Sequence, residues 1–168
     1  STTYWDQFVT TADTGINDPG DYPVLATGET DVEAILESRL NEILAGTPKY
    51  VKPANLFATL DDYYIVNYWP EVEYLDPGHV PGAHQYTPKT SFLTTSLLAT
   101  LPTDMPIAVY CYSGQHSAQV VAYLNVLGYD AWSVVYGTNG MMYDQMPKQK
   151  WPGPVDGPGD YPWEAPVD

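Results

Sequence analysis

One cysteine, six basic residues and no long apolar run set the first limits on this 168-residue chain. A lone Cys111 excludes an intramolecular disulfide, a zinc site built on several cysteines and a two-thiol redox cycle. Any chemistry at Cys111 therefore passes through a one-thiol intermediate such as a persulfide or thioester. Six Lys and Arg stand against twenty-one Asp and Glu, a net charge of −15 that repels a phosphate backbone and an anionic membrane surface. Nucleic acid is excluded as a partner on that ground, and the acidic residues read as a solvated, solubilising surface. No run reaches the ~18–20 apolar residues of a membrane span, so no membrane insertion is expected. Three histidines at 79, 84 and 116 have no close ligand spacing, so no metal and no cofactor is expected.

What is present is apolar and aromatic. Hydrophobic residues make up 44% of the chain, with fifteen Tyr and five Trp, enough for one folded domain with extensions. Residues 1–29 carry aromatic, Thr, Gly and Pro residues without a period and read as an ordered, irregular arm. Thr30 and Glu33 have capping-box spacing ahead of Val32, Ile35, Leu36, Leu40, Ile43 and Leu44, which predicts a packing helix stopped by Gly46 and Pro48. Downstream, the patterns predict a short helix over 53–60, a strand over 63–66, a loop over 69–82 and a helix over 91–101. They then predict a strand over 107–110, a helix over 117–127 and a strand over 131–135. Alternation of this kind implies parallel βαβ units and an α/β fold. The domain plan is an arm plus helix at 1–48, a central domain at 49–145 and an acidic, Pro/Gly-rich extended tail at 146–168. Pro-Gly-Asp-Tyr-Pro occurs at 19–23 and again at 158–162, too little to make a repeat protein.

The chemistry-bearing stretch is Cys111-Tyr112-Ser113-Gly114-Gln115-His116-Ser117, between a buried strand and a helix start. Ligands of open α/β sheets bind beyond the carboxyl ends of the strands, and helix N-terminal amides hold an anion there. A thiolate at that point is stabilised by the same dipoles. Gly114 lets the loop turn, and the amides of residues 112–117 are expected to curl around the sulfur. On spacing alone Cys111 is either a carrier nucleophile or a structural thiol. Ser113, Gln115, His116 and Ser117 either bind an anion or only cap the helix and face solvent.

Two stretches resemble signatures of the rhodanese family. Asp76-Pro77-Gly78-His79-Val80-Pro81-Gly82-Ala83, following the strand that starts near Tyr64, resembles its Gly-His-Ile-Pro-Gly-Ala motif, and residues 107–117 resemble its strand and Cys-x-x-Gly-x-x loop. Gly128-Tyr129-Asp130, followed by residues 134–142, is similar to its closing helix, strand and Gly-Gly turn. The resemblance covers residues 50–143. It implies a three-layer rhodanese-like α/β fold and a sulfurtransferase in which Cys111 takes sulfur from a small donor as a persulfide and passes it to a thiophilic acceptor or a protein thiol partner. His79 would build the turn beside the loop, and His116 would offer a positive charge when protonated.

Departures from the family are equally specific. Asn67 and Trp69 stand where many catalytic rhodaneses have Asp and Arg, and the loop has no Arg or Lys, so dianionic thiosulfate is expected to bind poorly unless Lys89 approaches from its own loop. Ser117 stands where cysteine phosphatases of related fold carry the Arg of Cys-x5-Arg, which excludes phosphate clamping. The alternative to an enzyme is a rhodanese-like binding or scaffolding module. Ser1 in place of Met, with acidic aromatic arms, fits an exported periplasmic bacterial protein, although a trimmed cytoplasmic chain looks the same.

Overall fold

A computed structural model describes residues 10–146 and 148–151. Five strands form one sheet: β1 (Tyr50–Val51), β2 (Tyr64–Asn67), β3 (His84–Gln85), β4 (Ile107–Tyr110) and β5 (Ala131–Val134). Their order is β1-β5-β4-β2-β3, every pair is parallel, and β4 sits at the centre. Helix α1 (Val32–Ala45) precedes the sheet; parallel neighbours need crossovers, and the chain supplies them through α2 (Pro53–Ala58), α3 (Glu71–Leu75), α4 (Gln115–Val126) and 3-10 turns. The expected α/β architecture is therefore present, with β2, β4, α4 and β5 within a residue or two of their sequence-predicted bounds.

Strand alternation divides the core between the two faces of the sheet. Ile107, Val109 and Cys111 point to one face, against Val120, Val121 and Leu124 of α4, with Tyr64, Val66, Tyr86 and Phe92. Ala108, Tyr110 and Tyr112 point to the other, where Leu56 of α2, Trp69, Val134 and the methionines 141, 142 and 146 close the layer. Cys111 thus continues the α4-facing register of β4 one residue past its end.

Several predicted elements differ. No α-helix spans 91–101; only Leu98–Thr100 forms a 3-10 turn. Its Ser and Thr side chains bond locally instead, Ser91 Oγ accepting from the Thr87 amide at 2.8 Å and Thr100 Oγ1 donating to the Leu97 carbonyl at 2.7 Å, which competes with the helical ladder. The loop over 69–82 contains α3, which starts immediately after Pro70. The two-residue strands β1 and β3 were too short to leave a pattern in sequence.

The cap of α1 is Asp31, not Thr30: its Oδ1 accepts from the amides of Glu33 and Ala34 at 2.9 and 3.1 Å. The helix also buries no residue completely, with Val32 and Leu44 78% and 80% exposed. Arg39 ties it to α4: its guanidinium donates to the carbonyls of Asn125 (2.6 Å) and Val126 (3.2 Å) at the end of that helix, where a cation also meets the negative end of the helix dipole.

The described part of the arm runs without regular structure along the domain. Thr10 pairs with His79 through two backbone hydrogen bonds, Gly20 donates to the Ala99 carbonyl, and Pro23 and Leu25 lie against Gly128. Of the tail, residues 152–168 lie outside the described residues, and with them the second Pro-Gly-Asp-Tyr-Pro; so do residues 1–9 of the arm.

Candidate active site

Cys111 follows directly on β4 and is buried, with the residue 2% exposed. The Ser117 amide in the first turn of α4 donates to Sγ at 3.4 Å, and Ser117 Oγ lies 3.7 Å from Sγ. The same hydroxyl lies 3.0 Å from the Gly114 carbonyl, as donor, and 2.9 Å from Ser133 Oγ on β5. Among the expected ring of amides from 112 to 117, the Ser117 N–H is the one hydrogen-bonded to the sulfur. Gly114, at φ +86°, makes the left-handed turn that brings α4 over the thiol.

The loop is fixed from behind by the turn after β5. Thr138 N donates to the Cys111 carbonyl at 3.0 Å, while Asn139 binds the Tyr112 carbonyl through its amide (3.0 Å) and its side-chain Nδ2 (2.8 Å). Tyr112 goes to the opposite face, stacks on Trp69 with ring centroids 4.7 Å apart, and donates to the Glu73 carboxylate. Glu73 is in turn paired with Lys148. Burial, followed by the Glu73 interaction, pushes the Tyr112 phenol well above its ordinary range, so it stays a neutral donor.

The remaining predicted positions separate into buried and exposed sets. Asn67 is fully buried, its Nδ2 donating to Tyr110 Oη at 2.7 Å while its Oδ1 has no partner among the described residues. Trp69 is also fully buried, so the two positions at which the family's charged pair was missed are filled by packing groups. Ser113 Oγ donates to Gln115 Oε1 at 3.3 Å, and Gln115 and His116 are exposed at the start of α4, away from the sulfur's hydrogen bonds. Lys89 is exposed, and its amide donates to Tyr68 Oη at 2.7 Å.

His79 is buried, stacked on Tyr74 at 3.5 Å, with Nδ1 2.7 Å from the Tyr74 carbonyl and Nε2 3.1 Å from that of Ala12. His84 stacks on Tyr64 and places Nδ1 2.6 Å from the Gly15 carbonyl. Both imidazoles therefore clamp the arm to the domain. Burial holds both below the ordinary histidine range, against the opposing pull of these carbonyls and Asp13. Among the described residues no group of three or more His, Cys, Asp or Glu is arranged to hold a metal, and no helix is long and apolar enough to cross a membrane.

Sequence reasoning missed Ser133, Glu73, Thr138 and Asn139. Ser133 carried one signal, a lone polar residue inside the apolar strand Ala131–Val134. The others act through contacts between segments distant in sequence and carried none.

A parallel α/β sheet whose central strand delivers a cysteine to the N-terminus of the next helix defines the class of domain. The sequence matches the family described as rhodanese-like domain over residues 55–142, just over half of the chain, and the chain belongs to that family. Among solved structures, a rhodanese-related protein from Thermoplasma volcanium aligns at 21% identity with a TM-score of 0.51, covering 59% of this chain and 95% of that one. A rhodanese-like domain protein from Staphylococcus aureus aligns at 24% identity and TM-score 0.48, covering 55% of this chain and 90% of the other. A rhodanese homolog from Thermus thermophilus aligns at 24% identity and TM-score 0.42, with 53% and 95% covered. The first of these supports the fold, and no curated protein matches the chain.

Proposed function

We propose that the protein is a sulfane-sulfur carrier in which Cys111 cycles between thiolate and persulfide. The observation that carries this reading is the Ser117 amide directed at the Cys111 sulfur from the first turn of α4, a donor placed where the negative charge of the thiolate resides. The thiolate attacks the outer sulfur of a donor; the donor's S–S bond breaks and its remaining fragment leaves with the electron pair. A thiophilic acceptor, a small nucleophile or a protein thiol, then attacks the terminal sulfur of the persulfide and returns Cys111 to the thiolate.

Charge favours some donors over others. The loop offers no Arg or Lys, Glu73 lies behind Tyr112, and the whole chain carries −15, so a dianion meets repulsion with no charge-assisted bond in return. Persulfide donors of low charge are favoured over thiosulfate. Steady-state sulfur transfer to cyanide, run with thiosulfate and with a small neutral persulfide across a salt series, tests this. The expected result is turnover that prefers the neutral donor and is abolished in Cys111→Ser, with thiosulfate use improving as salt screens the repulsion. Tight thiosulfate use that weakens with salt would place a cation in the site and overturn the donor assignment.

A second reading is supported by the burial of Cys111: a rhodanese-like module that binds a partner without turnover. In that case no donor modifies Cys111, and alkylation of the folded protein is slow.

A further inference from the structure

We propose that Ser133 is a positioning residue for Cys111, acting through Ser117 to stabilise the anionic sulfur; this deepens the carrier reading above and rests on it. Ser133 reaches the loop from a neighbouring strand, is buried, and its Oγ lies 2.9 Å from Ser117 Oγ. The count of protons decides what that contact does. Ser117 Oγ has one hydrogen and three neighbours: the Gly114 carbonyl at 3.0 Å, Ser133 Oγ at 2.9 Å and the Cys111 sulfur at 3.7 Å.

With Ser133 donating its own hydrogen into this contact, the Ser117 hydroxyl is released to serve either the Gly114 carbonyl or the sulfur. While Cys111 is a thiol, its S–H points at Ser117 Oγ and the Ser117 hydrogen stays on Gly114. Once the thiol proton leaves to solvent, the Ser117 hydroxyl turns to the sulfur and joins its own amide as a second donor to the negative charge. Without Ser133, Ser117 Oγ loses a donor, its oxygen is less positively polarised at the hydrogen, and one pin on its rotamer is gone. The hydroxyl of Ser133 therefore biases the thiol towards its reactive form without touching it.

Few other groups compete for that role. Ala131–Val134 of β5 brings no ionisable side chain, and β4 brings only Tyr110, which faces the opposite layer. The loop contributes Tyr112, with Glu73 of α3 and Lys148 behind it; α4 contributes His116, exposed, and Tyr123; β2 and the residue after it contribute Tyr64 and Tyr68.

Cys111 is the only cysteine in the chain, so selective carbon-13 labelling at cysteine Cβ gives a single resonance whose titration needs no access to the buried sulfur. The experiment follows that resonance against pH in wild type, Ser133→Ala and Ser133→Thr. Removing the hydroxyl should move the midpoint upward by about 0.5–1 unit, the share of one charge-assisted hydrogen bond delivered at second hand, and Thr should restore it to within about 0.2 unit. The alkylation rate below the midpoint should fall about 3–10-fold in Ser133→Ala alone. An unchanged midpoint in Ser133→Ala, or an equal shift in Ala and Thr, overturns the proposal. Sulfur loading of wild type is measured separately: its absence beside a clear Ser133→Ala shift sinks the carrier reading while leaving the positioning role intact.

Discussion

Replacing Gly137 with alanine places a methyl group where the protein has none to spare. The Cβ would lie 2.1 Å from the Cys111 carbonyl oxygen and 2.9 Å from the Gly114 nitrogen, both backbone atoms of the loop that holds the thiol. Gly82 supplies a matched control: its φ of +77° is at least as unfavourable to alanine as the +52° of Gly137, yet its Cβ would meet nothing within 4 Å. Gly82→Ala therefore costs only the left-handed conformation, about 1 kcal/mol. Gly137→Ala adds a forced displacement of the loop, at about 1–3 kcal/mol for overpacking, and weakens the Thr138–Cys111 and Asn139–Tyr112 backbone bonds at about 1 kcal/mol each. The excess over Gly82→Ala is about 4 kcal/mol, or about 12 °C in Tm for a chain of this size. Urea denaturation gives the two costs, and the alkylation rate of Cys111 shows whether the loop moved. Equal costs for the two variants, or an unaltered thiol rate in Gly137→Ala, would refute the account of why the turn after β5 runs so close to the loop.

Two further expectations concern what holds the periphery in place. Arg39→Ala should cost about 2 kcal/mol by removing the charged donor from the end of α4, and should speed hydrogen exchange throughout α1 while leaving β4 protected; uniform exchange across both would contradict it. His79 and His84 make stability depend on pH with a definite sign. Their folded values lie below the unfolded value of ~6.5, so the native state binds fewer protons, and the stability present above ~6.5 is lost as pH falls below it. Urea midpoints between pH ~7.5 and ~5, above the ordinary carboxylate range, should fall for wild type and flatten in a His79→Gln, His84→Gln double variant; parallel slopes would remove the histidines as the cause.

The legible parts of the fold were those with local physics. The run Ile107–Tyr110, the α4 pattern of Val120, Val121, Leu124 and Leu127, and the glycine and cysteine between them specify strand, turn and helix over short distances, and their alternation implies a parallel sheet. The helix expected over 91–101 failed because its Ser and Thr side chains satisfy the backbone in turns, which a count of apolar spacing does not see. The apolar spacing of α1 was read as a buried face, yet its position outside α4 leaves Val32 and Leu44 in solvent. At the site, Cys111 and Ser117 lie six residues apart and share a motif. Ser133, Glu73 and Asn139 reach the loop across the sheet or from the following turn, and only coordinates bring them there.

Intact-mass measurement of the folded protein after incubation with a neutral persulfide donor tests the central claim most directly. The expected result is one added sulfur, about 32 Da, removed by a thiol reductant and absent in Cys111→Ser. An unmodified mass with every donor tried, from a protein whose Cys111 is still alkylated, however slowly, by a small agent, would contradict it and leave the rhodanese-like fold serving as a binding module.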